Sequence, residues 1–322
     1  MPLSLEVSYS TWLDDVTVQL NRYLGLFIFV FGIIGNIFNI FVLSEKTLRF
    51  NPCSRLFRCS SIASILASSF GLTTRILSSW NIDLSGTNSY LCKFRGLMAF
   101  SSSTVTFWLI AFATIDRWLA SSILPSRRRQ STIKNAQRTT FAIVCLSTAL
   151  YFHLIFCYDA NLVDTPMKCY SKSPECRFLT DLSFALITIL CPLVIMIIFG
   201  FMTISNIRQA HYRTVRQSVY FPARQRKQVD RQLLTMLLLQ VTLLLILSLP
   251  LPIQRFYSTF TSSDSKSIQQ KSIDNFFYNS SLLLIYVANS VPFYIYTISG
   301  GSTFRKALKN VFKRCRLMII RR

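Results

Sequence analysis

Seven stretches of the chain run without Asp, Glu, Lys or Arg: residues 24–43, 59–74, 96–115, 139–158, 182–207, 232–254 and 275–304. Six reach the roughly 20 residues that carry a helix across a hydrocarbon core. The second is shorter and rich in serine (Ser60, Ser61, Ser64, Ser68, Ser69), and it spans if Arg58 and Arg75 reach outward from its ends to the interfaces. Within the runs, Pro192, Pro250 and Pro252 predict kinks, because proline removes a backbone donor that neighbouring helices must replace. The seventh ends in the polar series Asn289-Ser290-Val291-Pro292, and Gly300-Gly301-Ser302 then breaks it.

Beyond that break, Phe304, Leu308, Val311 and Phe312 recur every three to four residues among Arg305, Lys306, Lys309, Lys313 and Arg314. That pattern predicts an amphipathic basic helix on an anionic membrane surface, with Cys315 as a palmitoylation site. Calmodulin-type recognition is the rival use of such a segment. The pattern gives an all-α membrane protein: a seven-transmembrane helix bundle with an amphipathic eighth helix on the inner membrane surface. Its segments are an extracellular amino terminus (1–23), the seven-span domain (24–299) and a membrane-surface helix with cytoplasmic tail (300–322).

Composition agrees with a bilayer: 51% hydrophobic and 15% charged residues, with mean hydropathy +0.40, exceed what a soluble domain hides. A net charge of +22 in a soluble protein suggests nucleic acid, but its distribution excludes that here. The first, third and fifth connections and the tail hold 25 of the 35 Lys and Arg, against only Glu45, Asp116 and Asp230. The other side is balanced at 10 basic and 10 acidic residues. This is the positive-inside pattern, and it predicts an extracellular amino terminus. Residues 1–21 lack the basic start and apolar centre of a cleaved signal peptide, so the first span serves for targeting.

Of nine cysteines, Cys92, Cys169 and Cys176 fall on the outer side, where oxidation is permitted, and at most one bridge fits among the three. Cys92 opens the third span 25 residues before Arg117, a distance of roughly 37 Å along a helix. Its partner is Cys169 or Cys176, and Cys169 is preferred because Cys176 lies so close to the fifth span. An enzyme finds little support. The histidines are His153 and His211 alone, with no metal-ligand cluster, Gly-x-Ser-x-Gly or paired carboxylates within a span. No cofactor or metal is expected. A transporter or channel is the non-receptor alternative, though neither an inverted repeat nor an intramembrane acid along a path is evident.

Set in order, these features resemble the rhodopsin-like (class A) G-protein-coupled receptors across roughly residues 22–314. Gly35-Asn36, Cys92, Asp116-Arg117-Trp118, Pro192, Pro250 and Phe304-Arg305-Lys306 match the family's motifs jointly. A fainter likeness is to invertebrate FMRFamide-type neuropeptide receptors. The resemblance implies a plasma-membrane receptor that binds an extracellular ligand, here a neuropeptide, and activates a heterotrimeric G protein. It marks Asp116, Arg117 and Tyr296 as switch residues. Asp230, the only acid of the fifth connection and 20 residues before Pro250, is placed to lock Arg117 at rest, or else it offsets Arg231 and Lys227. Departures stand at Ser64, Ser248 and Pro292, where relatives carry an acidic or amide group, a tryptophan and an Asn-Pro pair. The outer pocket is expected from Arg75, Ala99, Phe100, Ser103, Gln254, Arg255 and Tyr286. Ala99 offers no counter-ion to an amine. Arg75 and Arg255 suit a peptide with both signs of charge or a small carboxylate ligand.

Overall fold

The computed structural model describes residues 3–46, 48–162, 168–216, 224–261, 267–299 and 301–320, without the side chains of 3–7, 210–231, 259–260, 299, 301–303 and 314–320. Six helices are long and apolar enough to cross a membrane: α1 (Ser8–Leu43), α2 (Pro52–Ser79), α3 (Ser89–Ser121), α4 (Ile133–Cys157), α5 (Pro174–Gln209) and α6 (Gln232–Ser258). A seventh, α7, is made of Ile268–Ser290 and Pro292–Ile298, which meet at a 46° bend. α8 (Gly301–Ile320) follows. The chain is a helical membrane bundle.

Helix starts follow local chemistry. Asn51, Asn88, Thr132, Ser173 and Ser267 each precede a helix, and each side-chain oxygen accepts a backbone N–H of the first turn, which satisfies one of the donors a helix start leaves open. Pro52 and Pro174 stand in first turns, where a missing N–H costs nothing.

α1 begins well before residue 24, where the apolar run starts. Its polar outer part stays helical because it packs on α7: Ser10, Leu13, Thr17 and Asn21 are buried, Ser272 Oγ donates to Asp14 Oδ2 at 3.2 Å, and Asn21 Nδ2 donates to Asn279 Oδ1 at 3.1 Å. Deeper, Gly32 admits Ser290 so closely that a Cβ there would collide with its side chain. Asn36 Nδ2 donates to the Gly32 carbonyl at 2.8 Å and across to that of Asn289 at 3.1 Å.

The serine-rich second run lies inside a full-length helix. Ser54, Ser60, Ser61, Ser64 and Ser68 are all buried, and small side chains let α2 lie close against α3, the helix it touches most. Arg58 donates to Ser44 Oγ at 3.2 Å, whereas Arg75 turns into the bundle rather than out to the interface.

Three widened turns interrupt the helices, at Leu20–Leu24, Ser68–Leu72 and Phe184–Leu190, and a period of 3.6 hides them from sequence. The last precedes Pro192, whose missing N–H leaves carbonyls one turn back without their usual donor. Trp108 Nε1 donates to the Ile187 carbonyl at 3.0 Å. In α6 the break falls between Ser248 and Pro250. In α7 it falls at Val291, before Pro292.

Between α4 and α5 a short hairpin, β1 (Tyr158–Asp159) and β2 (Tyr170–Ser171), pairs antiparallel, Tyr158 with Ser171 and Asp159 with Tyr170. Two disulfides hold it: Cys92–Cys169 and Cys157–Cys176, each with Cα atoms 5.6 Å apart. The second bridge corrects the sequence reading. Cys157 sits at the end of the fourth apolar run, but regular helix stops at Tyr151 and a turn carries the chain on, so its thiol reaches Cys176. On α8, Phe304, Ala307 and Val311 are buried while Phe312 is half-exposed against Phe38. Arg305 caps α7 through the Thr297 and Ile298 carbonyls. The side chain of Cys315 lies outside the described residues.

Candidate functional site

The hairpin roofs a pocket between α2, α3, α5, α6 and α7. Arg75, Arg95, Ala99, Phe100, Ser103, Tyr158, Tyr170, Arg255, Tyr278 and Tyr286 are among its lining. The room left inside is about 70 Å³, enough for a carboxylate or a few waters and far short of a peptide. Gly71, in the widened turn of α2, opens the wall: a Cβ there would strike the Tyr286 hydroxyl.

A polar belt crosses this mouth. Asn279 Oδ1 accepts from Asn21 Nδ2 and from Arg75 Nη1, the latter at 2.8 Å. The Tyr278 hydroxyl accepts from Arg75 Nη2 at 3.1 Å and Arg255 Nη2 at 2.8 Å. Its ring lies under both guanidiniums, 5.3 and 4.5 Å from its centre, a cation–π arrangement that desolvation strengthens. Arg255 Nη1 ends the belt on Asp181 Oδ1.

Charge does not balance there. Asp181 is shared with Arg177 at 3.7 Å. Arg95 donates to Ser85 Oγ at 3.0 Å, and among the described residues its carboxylate is Asp83 at 3.9 Å, which already accepts from the Ser85 N–H and hydroxyl. Among the described residues, no carboxylate lies within ion-pair distance of Arg75. Arg95 Nε and Arg255 Nε are buried donors without an acceptor. Such groups are rare and costly in native proteins and call for a partner. On the hairpin, burial pushes the phenols of Tyr158 and Tyr170 upward, so both stay neutral hydrogen-bonding groups at physiological pH.

Of the residues expected from sequence to form this pocket, Arg75, Ala99, Phe100, Ser103, Arg255 and Tyr286 line it together. Gln254 does not, and that is a correction. Adjacent side chains on a helix diverge by about 100°, so with Arg255 facing inward Gln254 turns to the start of α7 and donates to the Asp274 carbonyl at 3.3 Å. Sequence reading missed Arg95, Asp181, Tyr158, Tyr170 and Tyr278. Arg95 stands three residues after Cys92 on the same helix, a signal available from the chain. The tyrosines become visible only once the hairpin folds over.

At the inner end, Arg117 is 4% exposed. Its Nη2 donates at 2.9 Å both to Asp116 Oδ2 and to Asn51 Oδ1, so the residue capping α2 also holds the arginine of α3. Ser131 Oγ donates to the other oxygen of Asp116 at 2.6 Å. Trp118 packs edge-on against Phe199 with ring centres 5.0 Å apart, while Arg127 lies 5.1 Å over its ring. The expected partner Asp230 stands in the helix Arg224–Ser248, but its side chain lies outside the described residues. Tyr296 is buried, donates to Gln240 Oε1 on α6 and packs on Phe57 and Phe304.

Between the two ends, the departures are accommodated quietly. Ser64 Oγ sits 3.4 Å from Thr106 Oγ1, and Ser248 bonds back to the Leu244 carbonyl. Among the described residues no group of His, Cys, Asp and Glu is placed to hold a metal ion.

The family model of the 7 transmembrane receptor (rhodopsin family) matches residues 35–296. No curated protein matches the chain.

Proposed function

The chain belongs to the rhodopsin family of seven-transmembrane receptors, and from that premise we propose that its ligand is an extracellular peptide presenting a carboxylate to Arg75, Arg95 and Arg255. Membership makes it a multi-pass membrane receptor that takes an extracellular ligand and signals through a G protein. The carrying observation for the ligand class is the charge imbalance of the pocket: one buried and two half-buried arginines share one close carboxylate, and two of their N–H donors have no acceptor. An arginine fork matches a carboxylate in shape as well as charge. The room available admits one end or side chain of a peptide, leaving the remainder to the hairpin and the outer parts of α1 and α7.

The same reading sets the amino terminus (1–23) outside and residues 300–322 in the cytoplasm of a plasma-membrane receptor, because the inner segments hold all the net charge. Cys315 anchors α8 through a palmitoyl chain. At rest Arg117 is held by Asp116 and, through α6, by Asp230. Ligand binding favours the form in which α6 swings about its break before Pro250 and opens the inner crevice to the G protein.

The test is a ligand screen on cells expressing the chain, read by nucleotide exchange on supplied G protein. Each peptide is offered with its carboxylates intact and with each converted to the amide. Responses confined to carboxylate-bearing members support the reading. Responses to amines, or to peptides without a carboxylate, contradict it.

A further inference from the structure

Between α3 and α4 the chain reads Arg127-Arg128-Arg129-Gln130-Ser131-Thr132. Residues 127–130 are exposed and Ser131 is half-buried. From this sequence and from the bond that Ser131 makes, we propose that Ser131 is the acceptor for an arginine-directed serine/threonine kinase, and that its phosphate resets the Asp116–Arg117 pair. The proposal rests on the reading that this connection faces the cytoplasm, where ATP and kinases are found.

Two observations carry it. The first is recognition: Arg128 and Arg129 stand three and two residues ahead of the hydroxyl, the arrangement an acidic substrate groove reads through paired carboxylate–guanidinium contacts. The connection is a single helical turn, Pro125–Arg128, followed by a turn into α4. The bonds of Arg128 go to the Ser122 and Ile123 carbonyls within the connection. To enter a kinase groove the connection gives up the Ser131–Asp116 bond and the turn bonds of residues 128–132. Thr132 has Arg129 three residues ahead but Gln130 two ahead, and it caps α4, which leaves Ser131 as the better acceptor.

The second is position. Ser131 Oγ donates to Asp116 Oδ1 at 2.6 Å, and Asp116 Oδ2 holds Arg117 at 2.9 Å. In the transfer, the Ser131 Oγ–phosphorus bond forms as the γ-phosphoryl group of ATP leaves ADP, and the hydroxyl proton passes to the kinase's base. The product has no proton to donate to Asp116. It carries a charge of about −1.5 to −2 beside that carboxylate. Repulsion drives the two anions apart, and the phosphate oxygens compete with Asp116 for Arg117. A bond that steadied the resting pair becomes one that dissolves it, so modification raises ligand-independent signalling.

The experiment uses the full chain in lipid nanodiscs, with both faces open to solution. It is treated with ATP and the catalytic subunit of an arginine-directed kinase. Phosphopeptide mass spectrometry is expected to find phosphate on Ser131, absent in Ser131→Ala and at least tenfold lower in Arg128→Gln/Arg129→Gln. Basal nucleotide exchange on added G protein is expected to rise two- to fivefold on phosphorylation of the natural chain, and to stay unchanged when Ser131→Ala is treated with kinase. Absence of phosphate from Ser131, or a phosphorylated receptor with unaltered exchange, overturns the proposal. Antibody labelling of a carboxyl-terminal tag in intact and permeabilised cells checks the orientation separately. Labelling of intact cells removes the site from ATP and overturns the proposal through that reading alone, whatever the nanodiscs show.

Discussion

The two ends of the bundle surround arginine in opposite ways. At the inner end, Arg117 is met by Asp116 and Asn51, and Asp116 is met in turn by Ser131. At the outer end, Arg75, Arg95 and Arg255 crowd one pocket with Asp181 as the single close carboxylate. A buried charge without its counter-charge is expensive. On the proposed function, the end at Arg117 is an arrangement that activation must break, and the end at Arg75, Arg95 and Arg255 one that a ligand completes. On that proposal the same residue type serves as latch in one place and as receptor in the other, and the supply of local carboxylates decides which.

The comparison breaks hardest where one end is forced to resemble the other. Asp181→Asn removes the close carboxylate of the pocket. It keeps an acceptor for Arg255 but leaves that buried guanidinium without a counter-charge, and should cost about 3–5 kcal/mol, seen as a lowered unfolding midpoint and loss of surface expression. Survival of Asp181→Asn at natural stability would mean that the pocket already holds another anion. Cys92→Ser frees the hairpin roof from α3. Loss of a native bridge costs about 2–5 kcal/mol in small domains, and here surface expression should fall together with ligand response.

Smaller effects sharpen the contrast. Arg75→Gln keeps a donor for Asn279 and Tyr278 but removes a charge that no described carboxylate balances, so stability should hold. Ligand potency should fall about 10- to 100-fold, the scale of one charge-assisted hydrogen bond. At the inner end, Asp230→Ala should raise basal exchange by a few-fold at equal surface expression, and unaltered basal exchange would remove Asp230 from the latch. Smallest of all is the effect of pH. With Tyr158 and Tyr170 raised by burial and guanidiniums protonated throughout, affinity for a carboxylate ligand should be flat from about pH 6 to pH 9. It should weaken only as acid protonates the ligand. A step near neutrality in the binding isotherms would point to a histidine or amine at the contact instead.

Much of this architecture was legible in the chain. Uncharged runs marked every span, because a hydrocarbon core tolerates little else. What escaped had local physical causes. The first part of α1 is polar and reads as a tail, yet Thr17 and Asn21 are buried, Thr17 bonding back to the Leu13 carbonyl and Asn21 across to Asn279 on α7. The serines of α2 read as a weak span because hydropathy does not register that they are buried inside the bundle. Cys157 looked embedded until the helix ended at Tyr151. Inward-facing Arg75 and Arg255 could be picked out from their positions at the outer ends of apolar runs. Gln254, one residue away, shows that placement to within a turn still misjudges a face. Arg95 escaped although it shares a helix with Cys92, while Tyr158 and Tyr170 reach the pocket only through the hairpin that the two disulfides fix.

The central claim, that the outer arginines await a ligand's anion, is tested most directly by binding one peptide from the screen in two forms, carboxylate and amide, to the natural receptor and to Arg75→Gln. The account predicts that the carboxylate form binds the natural receptor at least tenfold more tightly, about 1.4 kcal/mol, and that the advantage largely disappears in Arg75→Gln. Equal affinities on the natural receptor, or an advantage that persists undiminished in the variant, would contradict it.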